Sequence, residues 1–283
     1  MDANIGLDRL KSRYIIALLF MTWILIPELL NQFWTNAVNY PWYWVDIGYY
    51  YPAHLADIFF LAVALALIRP DLRRLFGHMP TRCEWRLLLH TTFLLFTLGT
   101  ALIFAIYLPL SYLFPQFIQW WFAWAYSPTI YLDYSGSLPV IPNTLSWLSL
   151  VVVAPVTEEL LFRGFLLHRW AARWGMSAAI IASSLLFGVL HPDPFGATLF
   201  GVGMCLLYLH TRSLWVPIIA HAINNFTVWL WDLFNTLNEG HDYYFYDLEQ
   251  FRDNWTYGII SAVAALIAAA MFFSTKNNGK GIT

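Results

Sequence analysis

The stretch 87–114 runs for more than a membrane-spanning length without one Asp, Glu, Lys or Arg. A helix needs about 20 mainly apolar residues, at 1.5 Å each, to cross a hydrocarbon core of roughly 30 Å. Seven further apolar runs meet or approach that length. The candidate spans lie at about 14–33, 52–69, 87–114, 143–168, 177–191, 195–210, 214–233 and 256–273. Between the short fifth and sixth spans, His191-Pro192-Asp193-Pro194 must interrupt the helix, because proline lacks an N–H and clashes with the preceding turn. The first run is read as a retained anchor, since no small-residue cleavage site follows a short apolar core.

Composition excludes other classes. The 283 residues are 59% hydrophobic and 11% charged, against roughly 45–50% and about 25% in a soluble domain. Fifteen basic and 17 acidic side chains cannot coat a water-soluble globule of this size. A net charge of -2 without a basic run argues against a nucleic-acid partner, and the shortage of polar residues excludes disorder. Cys83 and Cys205 fall in a basic loop and an apolar helix, so no disulfide is expected between them.

Lys and Arg collect on the cytoplasmic side of a membrane. Thirteen of the 15 basic residues fall on one side of an eight-span arrangement: Arg9, Lys11 and Arg13; Arg69, Arg73, Arg74, Arg82 and Arg86; Arg169 and Arg173; Arg212; Lys276 and Lys280. The opposite side holds Arg252 among Glu239, Asp242, Asp247, Glu249 and Asp253. An odd helix count would scramble this separation. The expectation is an all-α, multi-pass membrane protein with both termini cytoplasmic, in the plasma membrane if the host is bacterial. Residues 1–140 hold three helices and a Trp-, Tyr- and Pro-rich interfacial segment, 141–235 a core of four helices, and 236–283 an outer loop, the last helix and a tail.

Charges within a bilayer cost about 2.5–3.5 kcal/mol each and mark function by default. The fourth span reads Pro155-Val156-Thr157-Glu158-Glu159-Leu160-Leu161-Phe162-Arg163-Gly164. Glu159 and Arg163, four apart, share a face and can pair. Glu158 is rotated about 100° away and is left for a cavity, where a buried carboxylate suits a general base near neutral pH. Phe187-Gly188-Val189-Leu190-His191 closes the fifth span, and His221-Ala222-Ile223-Asn224-Asn225 places His221 and Asn225 on one face of the seventh. Taken singly, His191 reads as an interfacial histidine, and the His221–Asn225 pair serves interhelical hydrogen bonding equally well. Together they fall in one layer: rise arithmetic puts Glu158 and Asn225 about 16 Å, His221 about 10 Å and His191 about 21 Å from the inner boundary.

This set, Glu158-Glu159-x-x-x-Arg163 with Phe187-x-x-x-His191 and His221-x-x-x-Asn225, resembles the CPBP family of CAAX proteases and bacteriocin-processing enzymes, also called Abi proteins. The resemblance covers roughly 143–235. It implies about eight transmembrane helices around a conical intramembrane cavity and an intramembrane endopeptidase acting on a membrane-associated peptide or protein. By the same resemblance Glu158 activates water with help from His191, His221 and Asn225 stabilise the oxyanion, and Glu159, Arg163 and Phe187 support the site. No cofactor is favoured. Zinc on Glu158, His191 and His221 is the alternative, although the His-Glu-x-x-His helix of zincins is absent. A proton-coupled transporter and a non-catalytic immunity protein are the other readings. Neither an inverted repeat nor paired broken helices favours transport.

The charge segregation predicts that cysteines placed at Asn238 and Asn277 are labelled by an impermeant reagent from opposite sides of the membrane. Labelling of both from one side overturns the eight-span arrangement.

Overall fold

Thr81 starts the longest helix through a reciprocal cap. Its hydroxyl accepts from the Glu84 N–H, and the Glu84 carboxylate accepts from the Thr81 N–H. The structure, a computed structural model, describes residues 11–21, 25, 29, 58–59, 61–63, 65–66, 71–125, 129–133, 135–239 and 247–278. Every regular element among the described residues is helical: α1 (Ser12–Phe20), α2 (Leu72–Phe76), α3 (Arg82–Leu113), α4 (Pro115–Ala125), α5 (Val140–Leu148), α6 (Ala154–Glu159), α7 (Leu167–Trp174), α8 (Met176–Val189), α9 (Pro194–Thr211), α10 (Trp215–Glu239), α11 (Leu248–Asp253) and α12 (Trp255–Asn278). Two π-helical segments, Ser149–Val153 and Leu160–Leu166, join α5 to α6 and α6 to α7.

The last six expected spans fall on helices, with ends displaced by a few residues. The fourth is longer than expected, since α5 through α7 form one helical run over 140–174. Of the first two, α1 covers the start of one; half of the first and most of the second lie outside the described residues. Helices α3 and α9 are long and apolar enough to cross a bilayer, while α8 and the Trp255–Met271 part of α12 are shorter apolar helices. One face of α12 presents Ile259, Ile260, Val263, Leu266, Ile267 and Met271, each at least half exposed. That periodic apolar face fits lipid and not water.

The chain divides into two packed units. The second comprises Pro80–Ser127, Ile180–Thr211 and Tyr244–Thr283. Within it α3 packs against α9 and α12 through small residues. A Cβ on Gly203 of α9 would meet Leu95 Cδ1 at 2.3 Å, and one on Gly258 of α12 would meet Phe104 Cβ at 2.5 Å. Phe104, Tyr107, Ile118, Leu248 and Phe251 form an aromatic core, with Phe104 and Phe251 stacked at 4.9 Å. Arg252 ties α11 to the end of α3 by donating to the Ser111 hydroxyl and carbonyl.

The first unit comprises Met1–Met79, Pro128–Ala179 and Arg212–Tyr243. Its axis is the 140–174 run, against which α10 packs along the first π segment and α6, and α1 along the second. Gly77 adopts φ +70 where a Cβ would sit 2.8 Å from the Arg212 carbonyl oxygen. That close approach lets the Leu214 N–H reach the Phe76 carbonyl at 2.9 Å. Before α5, Ile130, Tyr131 and Leu132 are buried in a non-helical segment. Asn143 of α5 holds it with both ends of its amide: Oδ1 accepts from the Tyr131 N–H at 2.8 Å, and Nδ2 donates to the Tyr131 carbonyl at 3.0 Å. Thr129 donates to Asp232 of α10 at 2.6 Å, and Ser146 donates to the Thr129 carbonyl at 2.6 Å.

Overpacking a close helix contact costs about 1–3 kcal/mol. Gly258→Ala is therefore expected to lower the melting temperature in detergent. Gly99→Ala, whose new Cβ meets nothing within 4 Å, is expected to leave it unchanged or raise it. Equal behaviour of the two variants refutes the α3–α12 packing.

Candidate active site

Pro155 shapes the helix that carries the carboxylates. A proline ring clashes with the carbonyl four residues before it and offers no N–H, and a widened turn relieves the clash. The turn before Pro155 is π-helical: the Ala154 N–H donates to the Ser149 carbonyl, five residues back. A second widened turn follows, where the Leu167 N–H donates to the Phe162 carbonyl. Between the two lies α6 with both glutamates. Such π insertions concentrate at functional sites.

Glu159 is fully buried at 0% exposure, Arg163 at 1%, His221 at 3% and Glu158 at 6%. Arg163 Nη1 donates to Glu159 Oε1 at 2.9 Å, so the pair expected from the i, i+4 spacing is formed. The sequence did not reveal that His221 Nδ1 donates to the same oxygen at 3.0 Å. That contact fixes the ring: Nδ1 carries a proton, and Nε2 faces Glu158 Oε2 at 3.9 Å. One carboxylate thus neutralises the arginine and orients the histidine, while the other stands beside the opposite ring nitrogen.

Asn225 lies one turn further along α10. Its Nδ2 donates to the Leu150 carbonyl at 2.9 Å, and its Oδ1 accepts from Asn224 Nδ2 at 3.3 Å. The first unit therefore brings Glu158, Glu159, Arg163 and His221 into one cluster and anchors Asn225 one turn further along α10 on Leu150.

His191 and Phe187 belong to the second unit. The Phe187 carbonyl accepts from His191 Nδ1 at 2.6 Å, and the two rings stack at 4.2 Å. Phe187, buried to 1%, thereby fixes both the plane and the tautomer of His191, with Nε2 as the acceptor nitrogen. In the following linker Asp193 Oδ2 accepts from the Gly196 N–H at 3.1 Å and starts α9. Burial pushes the Asp193 carboxyl above the usual range, against the pull of the Gly196 and Phe195 N–H groups. Cys205, expected to form no disulfide with Cys83, is a free thiol 3.7 Å from the Ser183 hydroxyl.

A groove of about 450 Å³ opens on the first unit beside this cluster. Trp147, Val151 and Pro155 line one side, and Trp215, Ile219 and Phe226 the other. Its walls are apolar throughout and do not include Glu158 or His221.

A zinc ion needs three protein ligands at about 2.0–2.2 Å from one point. The first unit offers Glu158 and His221 Nε2, since Glu159 Oε1 is taken by Arg163 and His221. A carboxylate behind Nδ1 is also what a metal-bound imidazole uses to hold its ring, but among the described residues no three His, Cys, Asp or Glu side chains stand together to hold a metal, so the set falls one ligand short of a zinc site.

Comparison with known proteins bears on this segment. Residues 139–227 match the family model described as "Type II CAAX prenyl endopeptidase Rce1-like". That range contains every candidate site residue, and over it the resemblance to CAAX proteases is shown. A curated protein of Bacillus subtilis (strain 168), "Putative membrane peptidase YdiL", is 32% identical over 77 residues. The match covers 26% of this chain and 32% of that protein, so the chain spans about a third of the relative's length. No solved structure matches the chain.

Removing one partner of a buried ion pair strands the other charge at a cost of about 3–5 kcal/mol. Glu159→Gln and Arg163→Leu are expected to reduce yield and lower the melting temperature in detergent, whereas Glu158→Gln is expected to purify and melt like the parent. A Glu159→Gln variant of parental stability refutes the shared-carboxylate arrangement.

Proposed function

We propose that the chain is an intramembrane endopeptidase that hydrolyses a peptide bond of a membrane-associated substrate with a glutamate-activated water. The supporting observation is the division of labour between adjacent carboxylates: Glu159 is consumed by Arg163 and His221 Nδ1, whereas Glu158 faces His221 Nε2 at 3.9 Å. Atoms at that separation are too far apart to bond directly and close enough to share one water at normal hydrogen-bond distances. The matched segment 139–227 supports the reaction class.

In this reading Glu158 takes a proton from water, with His191 in the assisting role that the resemblance implies. The hydroxide attacks the scissile carbonyl, and its oxygen becomes an oxyanion. His221 and Asn225 donate to that oxygen, which is where preorganised donors contribute most. The proton on Glu158 then passes to the leaving amine as the C–N bond breaks. Donation from Nε2 requires the imidazolium form of His221, with the Nδ1 proton still donated to Glu159. Phe187 holds His191, and Glu159 and Arg163 hold His221. The proposed topology has eight spans and cytoplasmic termini, with lipid as surroundings and no nucleic-acid partner. A prenylated or other C-terminal-motif peptide is the proposed substrate class, after the description of the matching family.

A fluorogenic peptide assay on detergent-solubilised protein, with prenylated and unprenylated versions, tests this reading. Glu158→Gln should lose about 10²–10⁴-fold in kcat while its folding is unchanged. Full activity in that variant removes Glu158 from the reaction. Zinc is the second reading, favoured by the Glu159–His221 contact. Phenanthroline treatment with elemental analysis separates the two: retained activity is expected. Stoichiometric zinc, with activity lost on chelation and restored by zinc, overturns the glutamate mechanism.

A further inference from the structure

We propose that Pro155 is a positioning residue for Asn225, acting through a backbone carbonyl that it leaves unclaimed; this rests on reading Asn225 as an oxyanion donor. In the π register before α6 the Ala154 N–H is spent on the Ser149 carbonyl. The next carbonyl is that of Leu150, and the residue five further on is Pro155, which has no N–H to give. Asn225 Nδ2 supplies the bond instead, at 2.9 Å from the Leu150 oxygen. With any other residue at 155, a backbone N–H would compete for that carbonyl.

The bond fixes more than a helix contact. A primary amide has two N–H donors and one planar orientation. The first N–H is held by Leu150, and the amide oxygen faces Asn224 Nδ2, so the direction of the second N–H is set by the frame. An oxyanion donor must be held to about 0.5 Å before the charge develops. Here a neutral side chain on α10 is aligned by the neighbouring helix, and the groove wall formed by Val151, Val152 and Pro155 adds no competing polar group.

The test is a double-mutant cycle on the full chain in detergent: parent, Pro155→Ala, Asn225→Ala and the double variant, each measured for melting temperature, kcat and KM. Asn225→Ala should lower the melting temperature of the parent by stranding the Leu150 carbonyl. It should lower that of Pro155→Ala far less, because the new N–H of residue 155 takes the carbonyl. Pro155→Ala alone should lower kcat by about ten- to a hundredfold, leave KM nearly unchanged and not lower the melting temperature, an opposition that a structural proline would not produce. Equal melting shifts of Asn225→Ala in both backgrounds overturn the inference, as does parental kcat in Pro155→Ala. Pro155→Ser, which also restores the N–H, provides the second background if Pro155→Ala does not purify. A parent that cleaves no peptide overturns the peptidase reading, and the melting cycle then decides the Leu150 anchor by itself.

Discussion

Everything at the candidate site depends on one buried carboxylate oxygen. Glu159 Oε1 accepts from Arg163 and from His221, and these side chains are almost wholly withdrawn from solvent. An isolated ion there would be prohibitive, so the glutamate needs the guanidinium and the guanidinium needs the glutamate. The histidine is recruited into the same contact from another helix. The pairing that makes the charge tolerable therefore also decides which nitrogen of His221 faces Glu158. Stability and orientation are carried by one atom and cannot be tuned separately.

A second constraint comes from the backbone. Proline in a helix interior is normally a defect, costing a hydrogen bond and a turn. Here the defect is resolved by a π turn on one side and a side-chain amide from α10 on the other. Both glutamates follow within four residues, so the irregular turn fixes the rotation at which α6 presents them. The apolar groove beside them keeps other polar groups away from this corner of the helix pair.

Much of this was legible in the sequence because it follows from periodicity. The Glu159–Arg163 pair is an i, i+4 consequence of helix geometry, and the late spans fall on helices because their apolar runs leave little choice. The His221–Glu159 contact was not legible, since pairing between residues 62 positions apart depends on how helices pack. The Leu150–Asn225 bond was only half hidden. Pro155 stands three residues before Glu158 and announces an orphaned carbonyl, but nothing local names the donor that answers it. Helix ends shifted because the 140–174 run continues through π turns that hydropathy does not register. The segment around Tyr131 reads in sequence as an aromatic interfacial stretch, and its anchoring by Asn143 has no periodic signal.

That anchoring carries a consequence for how the chain can vary. Asn143 gives Tyr131 the two hydrogen bonds that a neighbouring strand would give, using one side chain where a sheet would use several backbone groups. Register is thus specified at a single residue pair, with Thr129 and Ser146 adding one bond beside it. Beyond the clasp Leu132 is buried, and Asp133 Oδ1 accepts from the Ser135 and Ser137 N–H groups, so the turn that follows is held as well. Insertions at the tip of that turn, where a Cβ on Gly136 would meet nothing within 4 Å, lengthen a loop whose closing cost rises slowly with size. Evolutionary drift in this connection can therefore proceed by changes of length at its tip, while the residues at the clasp itself accept few substitutes.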